Sequence, residues 1–459
     1  MTELVHHRTV GLFRAGYCTL LGGVMLFDLR DTVAFYRSDV SHWYPTPFMD
    51  ALDLGRPALA LTVLIALLTV AAFWSAAVGF FTRLSLLAAT AGYLAFHSVM
   101  LGFGWTSPVS NASSHQTNLV PFVMLAMVVT PTISRWSVDD VRRGPRPDDA
   151  VWVPAWPVRM FRFVLGAAYL GAGLSKLRVS FDWMSADNIQ GHLYTTWLRG
   201  GPDLARTLSE SDVLGRAMGV ATILFECGFV LVATLIPIRS RLRLPLVVIG
   251  LGFHLGITIV FDIWHFLPYW GPTYLAFLTW EDLAARRGEP LDVPASSTPP
   301  TRAPRRAWAT LPGVDRGAIG LVVVVMLAPA IRGAEYWPIS DFGAFDAVVS
   351  VDGAQADRLV LVAADGSSRD FEPGDLGAPY GHRKDPASMR FFWFAETGSV
   401  RTPEDPEVLE AGLTTYWSRL SDELRSQYPT LELVRRQVTI EAGERLLTET
   451  PLGSVTPTG

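Results

Sequence analysis

The sequence predicts an all-α polytopic membrane bundle, of about eight to nine transmembrane helices, followed by a small C-terminal α+β domain outside the cytoplasm. Three observations predict it. Half of the 459 residues are hydrophobic and only 18% are charged, whereas soluble proteins carry about 25% charge, and the mean hydropathy is +0.28. The apolar residues come in runs of membrane length. From Glu335 onward the composition changes, with 21 acids against 11 bases and a local charge of −10. Composition also excludes a good deal. The bulk is not disordered. A net charge of −5 argues against a nucleic-acid partner. Two isolated cysteines, Cys18 and Cys227, give neither a disulfide framework nor a zinc site.

A spanning helix needs about 20 mostly apolar residues. Such runs fall at 9–29, 57–81, 84–104, 116–132, 157–177, 214–237, 244–264, 266–281 and 316–333. The first has no small-residue cleavage site and reads as a retained anchor. The eighth is short and holds Pro268 and Pro272, so it reads as kinked or re-entrant. Loop charge sets orientation. Arg135, Arg142, Arg143 and Arg146 follow the fourth run; Arg239, Arg241 and Arg243 follow the sixth; Arg286, Arg287, Arg302, Arg305 and Arg306 follow the eighth. The connection 105–115 has no Lys or Arg. With nine runs counted, the basic connections share a side. The expected protein is a multi-pass plasma-membrane protein with a cytoplasmic N-terminus and an extracytoplasmic C-terminus. If the eighth run does not span, that assignment fails beyond residue 265.

The expected domains are a bundle over 1–282, a cytoplasmic Pro/Arg-rich linker over 283–315, a last transmembrane helix over 316–334 and the outer domain over 335–459. Within the last, 345–351, 358–363, 390–395 and 430–440 read as strands. Residues 406–427 read as one amphipathic helix, with Leu409, Leu413, Tyr416, Trp417, Leu420 and Leu424 on its apolar face.

A charge at bilayer depth needs a reason. Arg14, one turn into the first run, either snorkels to the near surface or partners an acid or an anionic group. Lys176 ends the fifth run, in YLGAGLSKL. Of the 38 basic residues 36 are Arg; only Lys176 and Lys384 are Lys. Arg keeps its proton, whereas a desolvated Lys can release it, so a Lys in an Arg-rich chain raises the question of deprotonation. Snorkelling is the bland alternative. The small residues Gly171, Ala172 and Gly173 would let another helix approach. Glu226, in ILFECGFV, is a mid-span acid that must be paired or protonated. His97 and His115 flank the uncharged loop; His115 sits in the polar cluster SSHQTN, and His97 reads rather as a structural hydrogen-bonder. His254, Thr258, Asp262 and His265 share one face of the seventh run. No metal-ligand spacing such as HExxH occurs, and GxSxG, GxGxxG and the P-loop pattern are absent.

Several segments together resemble the vitamin K-dependent γ-carboxylases and their bacterial relatives, which share a horizontally transferred transmembrane (HTTM) domain. They are VGLFRAGYCTLLGGVMLFD, SSHQTNLVPFVMLAMVVTPTISRWSVDD, PAWPVRMFRFVLGAAYLGAGLSKL with the FDW that follows, and FHLGITIVFDIWHF. The resemblance covers roughly residues 8–281. It implies that Lys176, in the AGxxKL motif, is the catalytic base that deprotonates a reduced vitamin K or menaquinol-type hydroquinone. The anion reacts with O2, and the product alkoxide takes a γ-proton from a substrate Glu, whose carbanion adds CO2. It also implies that His115 is the family's essential histidine and His254 the histidine of its F-H-L motif, with Arg14 either structural or beside the cofactor; Glu226 and Trp183 are expected near the cofactor as well. Membrane quinone and a secreted Glu-containing peptide or protein would then be the partners, without a metal. The sequence departs from the family at Ser175, where a second Lys often stands, and at Ser114, where the animal enzymes have Asn. The animal enzymes also carry a much larger propeptide-binding region. The competing expectation is a non-catalytic quinone- or lipid-binding protein whose outer domain recruits a partner; a transporter using Glu226 and the His254 face is a third.

Overall fold

The computed structural model describes residues 3–37, 43, 45–104, 117–144, 151–198, 200–261, 263, 266–289, 291, 313–332, 335–336, 339–340, 348–371, 375, 406–441 and 444–456. His115, Asp262, His265, Lys384, the expected strand at 390–395 and most of the linker lie outside the described residues.

The helices in chain order are α1 (Arg8–Arg37), α2 (Pro47–Asp50), α3 (Leu59–Val78), α4 (Thr82–Gly104), α5 (Leu119–Val128), α6 (Val138–Arg143), α7 (Trp156–Val179), α8 (Ala186–Leu198), α9 (Asp203–Ser209), α10 (Asp212–Leu235), α11 (Arg243–Phe261), α12 (Phe266–Trp270) and α13 (Trp280–Arg286). Five of them, α1, α3, α4, α10 and α11, are long and apolar enough to cross a bilayer, which is the composition of an integral membrane protein. Their outward faces are apolar too: Leu68, Leu84, Leu224 and Val248 are all exposed.

Of the remaining expected spans, 157–177 and 316–333 are continuous helices at nearly those bounds, and the other two take other forms, for local reasons. α5 is a short apolar helix that ends just before Pro131. α7 is the centre of the bundle, buried along most of its length; a helix surrounded by protein can carry Arg159, Arg162 and Lys176 where a lipid-facing one cannot. The eighth segment is broken. α12 gives way to a 3₁₀ helix, Gly271–Phe277, with Pro272 in its first turn. A Cβ at Gly250 would strike the Tyr274 ring, and Arg243 bonds to Thr279 and Asp282. The segment therefore runs antiparallel to α11 and returns the chain to the end where α11 begins. The wider rise of a 3₁₀ helix, about 2.0 Å per residue, lets few residues cover that length.

At that end the N-terminus is tied in. β1 (Leu4–His6) pairs antiparallel with β2 (Trp152–Pro154). Glu3 accepts from Arg159 at 2.7 Å and from the Ile238 amide at 2.9 Å. Glu281 accepts from the His6 amide, Thr9 Oγ1 and Arg239. The Arg-rich connections after α5, after α10 and after the broken segment thus converge on one end of the bundle.

The helix Gly313–Arg332 leads to the C-terminal region. There β3 (Glu335–Tyr336) and β4 (Ile339–Ser340) form a minimal hairpin. β5 (Gln355–Val362), β6 (Ser368–Asp370), β7 (Thr430–Glu441) and β8 (Glu444–Val455) form an antiparallel sheet in the order β6-β5-β7-β8. Leu409, Leu413, Tyr416 and Leu420 cover its inner face, against Leu359, Leu361, Leu431 and Leu433. Three sequence expectations are corrected here. The helix over 406–427 is two helices, Pro406–Ser418 and Asp422–Gln427, because Ser421 caps the second by accepting from the Leu424 amide. The described part of 345–351 is coil running into a 3₁₀ turn, and the strand begins only at Gln355. β8 was not expected, since Pro451 interrupts its pattern; it lies at the sheet edge, where Pro is tolerated, beside a register shift at Leu433/Val434.

This domain docks on α8 and α9. The Val349 amide donates to Asn188 Oδ1 at 2.7 Å and the Val351 amide to Asp187 Oδ1 at 3.0 Å. Arg445 donates to the Ser209 carbonyl at 2.8 Å. Gly191 is required for the approach, because a Cβ there would sit 2.1 Å from the Val349 carbonyl oxygen. The domain therefore lies at the end of the bundle opposite the Arg-rich one.

Candidate active site

The site starts from two glycines of α7. A Cβ at Gly166 would lie 2.7 Å from Val230 Cα, and one at Gly173 would lie 2.6 Å from Cys227 Sγ. Small residues let α10 come this close, and the approach sets Glu226 opposite Lys176. Both Glu226 oxygens lie 3.1 Å from Lys176 Nζ. Oε1 takes the hydrogen bond, while Oε2 has no hydrogen-bonded partner among the described residues. Nζ also donates to the Ala172 carbonyl at 3.4 Å and stands 5.2 Å from the centre of the Trp183 ring. The side chains are 3% and 6% exposed, so the pair sits in a medium where its mutual attraction is several times that in water.

Two turns deeper, α11 supplies His254. Its Nε2 lies 2.5 Å from the Tyr169 hydroxyl, which lies 2.6 Å from the Tyr274 hydroxyl. Phe266 stacks on the imidazole and Trp270 meets it edge-on. His254 Nδ1 is buried and has no hydrogen-bond partner among the described residues. If Tyr274 donates to Tyr169 and Tyr169 to Nε2, the imidazole proton is on Nδ1; the reverse direction leaves Nδ1 an acceptor. Either way a buried polar atom is left for something else to bond.

Lys176, Glu226, Tyr169, His254 and Trp183 line one cavity of about 430 Å³ between α7, α10 and α11. Its other walls are mostly apolar, among them Ile189, Met218, Phe225, Phe253 and Trp270, with His192 and Thr222 as further polar members. The volume is within the usual range for a small-molecule site. An apolar chamber with a titratable pair at one level and an unbonded ring nitrogen at another can hold a flat ring and exchange a proton with it.

Of the residues named from sequence, Lys176, Glu226, His254 and Trp183 meet here. Arg14 does not line this cavity. Its guanidinium donates to the carbonyls of Ile133 at 2.5 Å, Trp136 at 3.0 Å, Arg135 at 3.3 Å and Ala77 at 3.4 Å. It clamps the α3–α4 turn to the loop that bears the WSVDD motif. Gly79, at φ 72°, completes the clamp, since a Cβ there would lie 2.2 Å from Ser137 Cβ. Asp139 of that motif accepts from the Phe81 amide, the Thr82 amide and Thr82 Oγ1. Desolvation raises its pKa, but these hydrogen bonds outweigh it and hold the carboxyl below its ordinary value.

Sequence reasoning missed several groups. Tyr169 and Tyr274 read as apolar bodies, with nothing to show that their hydroxyls meet His254. Asp28 was passed over; Tyr269 donates to it, and His97 stands beside both, with Nε2 3.2 Å from the Tyr269 hydroxyl and 3.6 Å from Asp28 Oδ2. Arg162 is fully buried, donates to the Ala276 carbonyl at 3.0 Å and lies over the Phe277 ring, which fixes the 3₁₀ segment.

A family model described as the HTTM domain matches residues 5–279 of the chain. That stretch runs from the first strand to the end of the broken segment and contains every residue of the cavity wall. Neither the curated proteins nor the solved structures contain a match to the chain.

Proposed function

The chain belongs to the HTTM domain family, and on that premise we propose that it is an integral-membrane, vitamin K-dependent γ-carboxylase-like enzyme that oxygenates a reduced naphthoquinone to its epoxide. One observation carries the reading: the only Lys of the bundle and its buried acid partner stand 3.1 Å apart in the wall of an apolar cavity. A reduced naphthoquinone, when bound, supplies an acidic hydroxyl and an anion that reacts with O2, so that one hydroquinone and one O2 give the epoxide and water. Carboxylation of a glutamate, consuming CO2, is the coupled step that the family resemblance adds.

The protein's own part is proton handling in a dry site. Proton transfer along the Lys176–Glu226 contact leaves an amine and a carboxylic acid, with no change in net charge. The amine is then a base that can take the hydroxyl proton of a ring lying against Trp183. His254, held by Tyr169, places Nδ1 where the ring's second oxygen could bond to it. The apolar walls keep water away from the reacting oxygen. His115 is proposed as a further proton-transfer group, on the family resemblance alone. Arg14 is assigned the clamp.

The proposed topology has nine passes, with the Arg-rich end in the cytoplasm and the sheet domain outside, on the side of Lys176. The test is turnover of purified protein in lipid nanodiscs with a reduced naphthoquinone and O2, with product identified by mass spectrometry. Epoxide formation supports the reading. Saturable quinone binding without any epoxide would make the protein a non-catalytic quinone binder.

A further inference from the structure

The cavity is not closed on its lipid side. It follows α11 for three turns, lined by Ile249, Gly252, Gly256 and Val260, a distance of about 16 Å at 1.5 Å per residue. Ile249 is 57% exposed, and Gly252 is exposed as well, as is Ala221 on the facing side of α10. These residues therefore belong at once to the cavity wall and to the outside of the bundle. A Cβ at Gly252 or Gly256 would meet no atom within 4 Å, so the helix face is open there. Gly252 is the middle residue of α11. It lies about 14 Å from either end of the helix, at the depth of the hydrocarbon centre. α10 and α11 are among the helices apolar enough to cross the bilayer.

We propose that this opening between α10 and α11 is a side portal to the lipid, and that its occupant is the linear apolar tail of the amphiphile whose ring meets Lys176. An opening at mid-membrane admits no water-soluble group, because every polar atom there would lose its hydrogen bonds. The groove is apolar, free of side chains at two glycines and continuous with the chamber at Lys176. A straight hydrocarbon or isoprenoid chain fits those conditions, with its far end in the lipid. The identity of the ring rests on the reading above; the portal does not.

The test uses the full-length protein in phosphatidylcholine nanodiscs with a naphthoquinone that carries a diazirine at the end of its tail. On illumination the label is expected on the α11 peptide around Ile249–Gly256 or around Ala221. Gly252→Trp and Gly256→Trp should cut that labelling about tenfold, while binding of a tailless naphthoquinone stays within about twofold. Gly228→Trp, an equally bulky change at an open position of α10 outside the cavity wall, should leave both unchanged and controls for folding. Labelling on other helices, or none, overturns the portal. So does equal labelling of the groove by a diazirine phospholipid that excess quinone fails to displace. Labelling of the groove without epoxide formation keeps the portal and removes the oxygenase reading.

Discussion

Lys176 and Glu226 are a buried ion pair, and such a pair is costly to break by halves. Removing one partner typically costs about 3–5 kcal/mol, whereas replacing both by apolar residues is often neutral. Lys176→Met alone should therefore lower the thermal midpoint in nanodiscs, and the double variant Lys176→Met with Glu226→Met should recover most of the loss while remaining inactive. A double variant no more stable than the single one would show that the pair is not what holds the groups there. Arg14 makes a second prediction at this scale. Arg14→Met leaves the buried carbonyls of Ile133 and Ala77 without donors, at about 1–3 kcal/mol each. It should destabilise the protein while quinone affinity of the folded fraction stays unchanged. A selective loss of affinity would return Arg14 to the cofactor site. Lys176 was legible in the sequence because the chain otherwise uses Arg, and Glu226 because an acid has no reason to be mid-span. Their pairing was not, since it joins positions 50 residues apart through a helix contact that only Gly166 and Gly173 permit.

The helices themselves were legible wherever lipid faces them, because there the solvent dictates composition. α3, α10 and α11 end within three residues of the expected runs. The pattern fails in the segment after α11, which breaks at Pro272 into a 3₁₀ helix; α7 fills its expected run although it carries charges, because protein surrounds it. WSVDD closes one of the segments that carry the family resemblance, and it proves to be a joint between elements. Asp139 receives the first amides of α4, and its pKa is depressed by those bonds. A depressed carboxylate contributes stability that is present above its unfolded pKa, near 4, and is lost as pH falls through the lower folded value. Asp139→Asn should therefore lower the thermal midpoint at pH 7, with the gap to the parent protein narrowing below about pH 4. A gap independent of pH would exclude the charge as the cause. Gly166→Ala tests the α7–α10 contact: a methyl 2.7 Å from Val230 backbone should cost about 1–3 kcal/mol and lower turnover by shifting Glu226. Full stability and full turnover would contradict the tight approach.

At the scale of the whole molecule, the Arg-rich connections gather at one end, and Lys176, α8 and the sheet domain gather at the other. That segregation was legible from loop charge alone. The docking was not, because it depends on backbone amides of Val349 and Val351 meeting Asn188 and Asp187, which leave no pattern in composition. The domain therefore stands over the same end as the proposed base, where a bulky outer substrate would have to arrive. The measurement closest to the central claim is epoxide formation in nanodiscs by the parent protein, Lys176→Ala and Lys176→Arg, each given the same reduced naphthoquinone and O2. If Lys176 acts as a neutral base, the parent forms epoxide and both variants fall by at least about a hundredfold, in the range that general-base catalysis contributes, although Arg keeps the positive charge beside Glu226. An Lys176→Arg protein that turns over like the parent would contradict the claim, because a permanently charged guanidinium cannot take that proton.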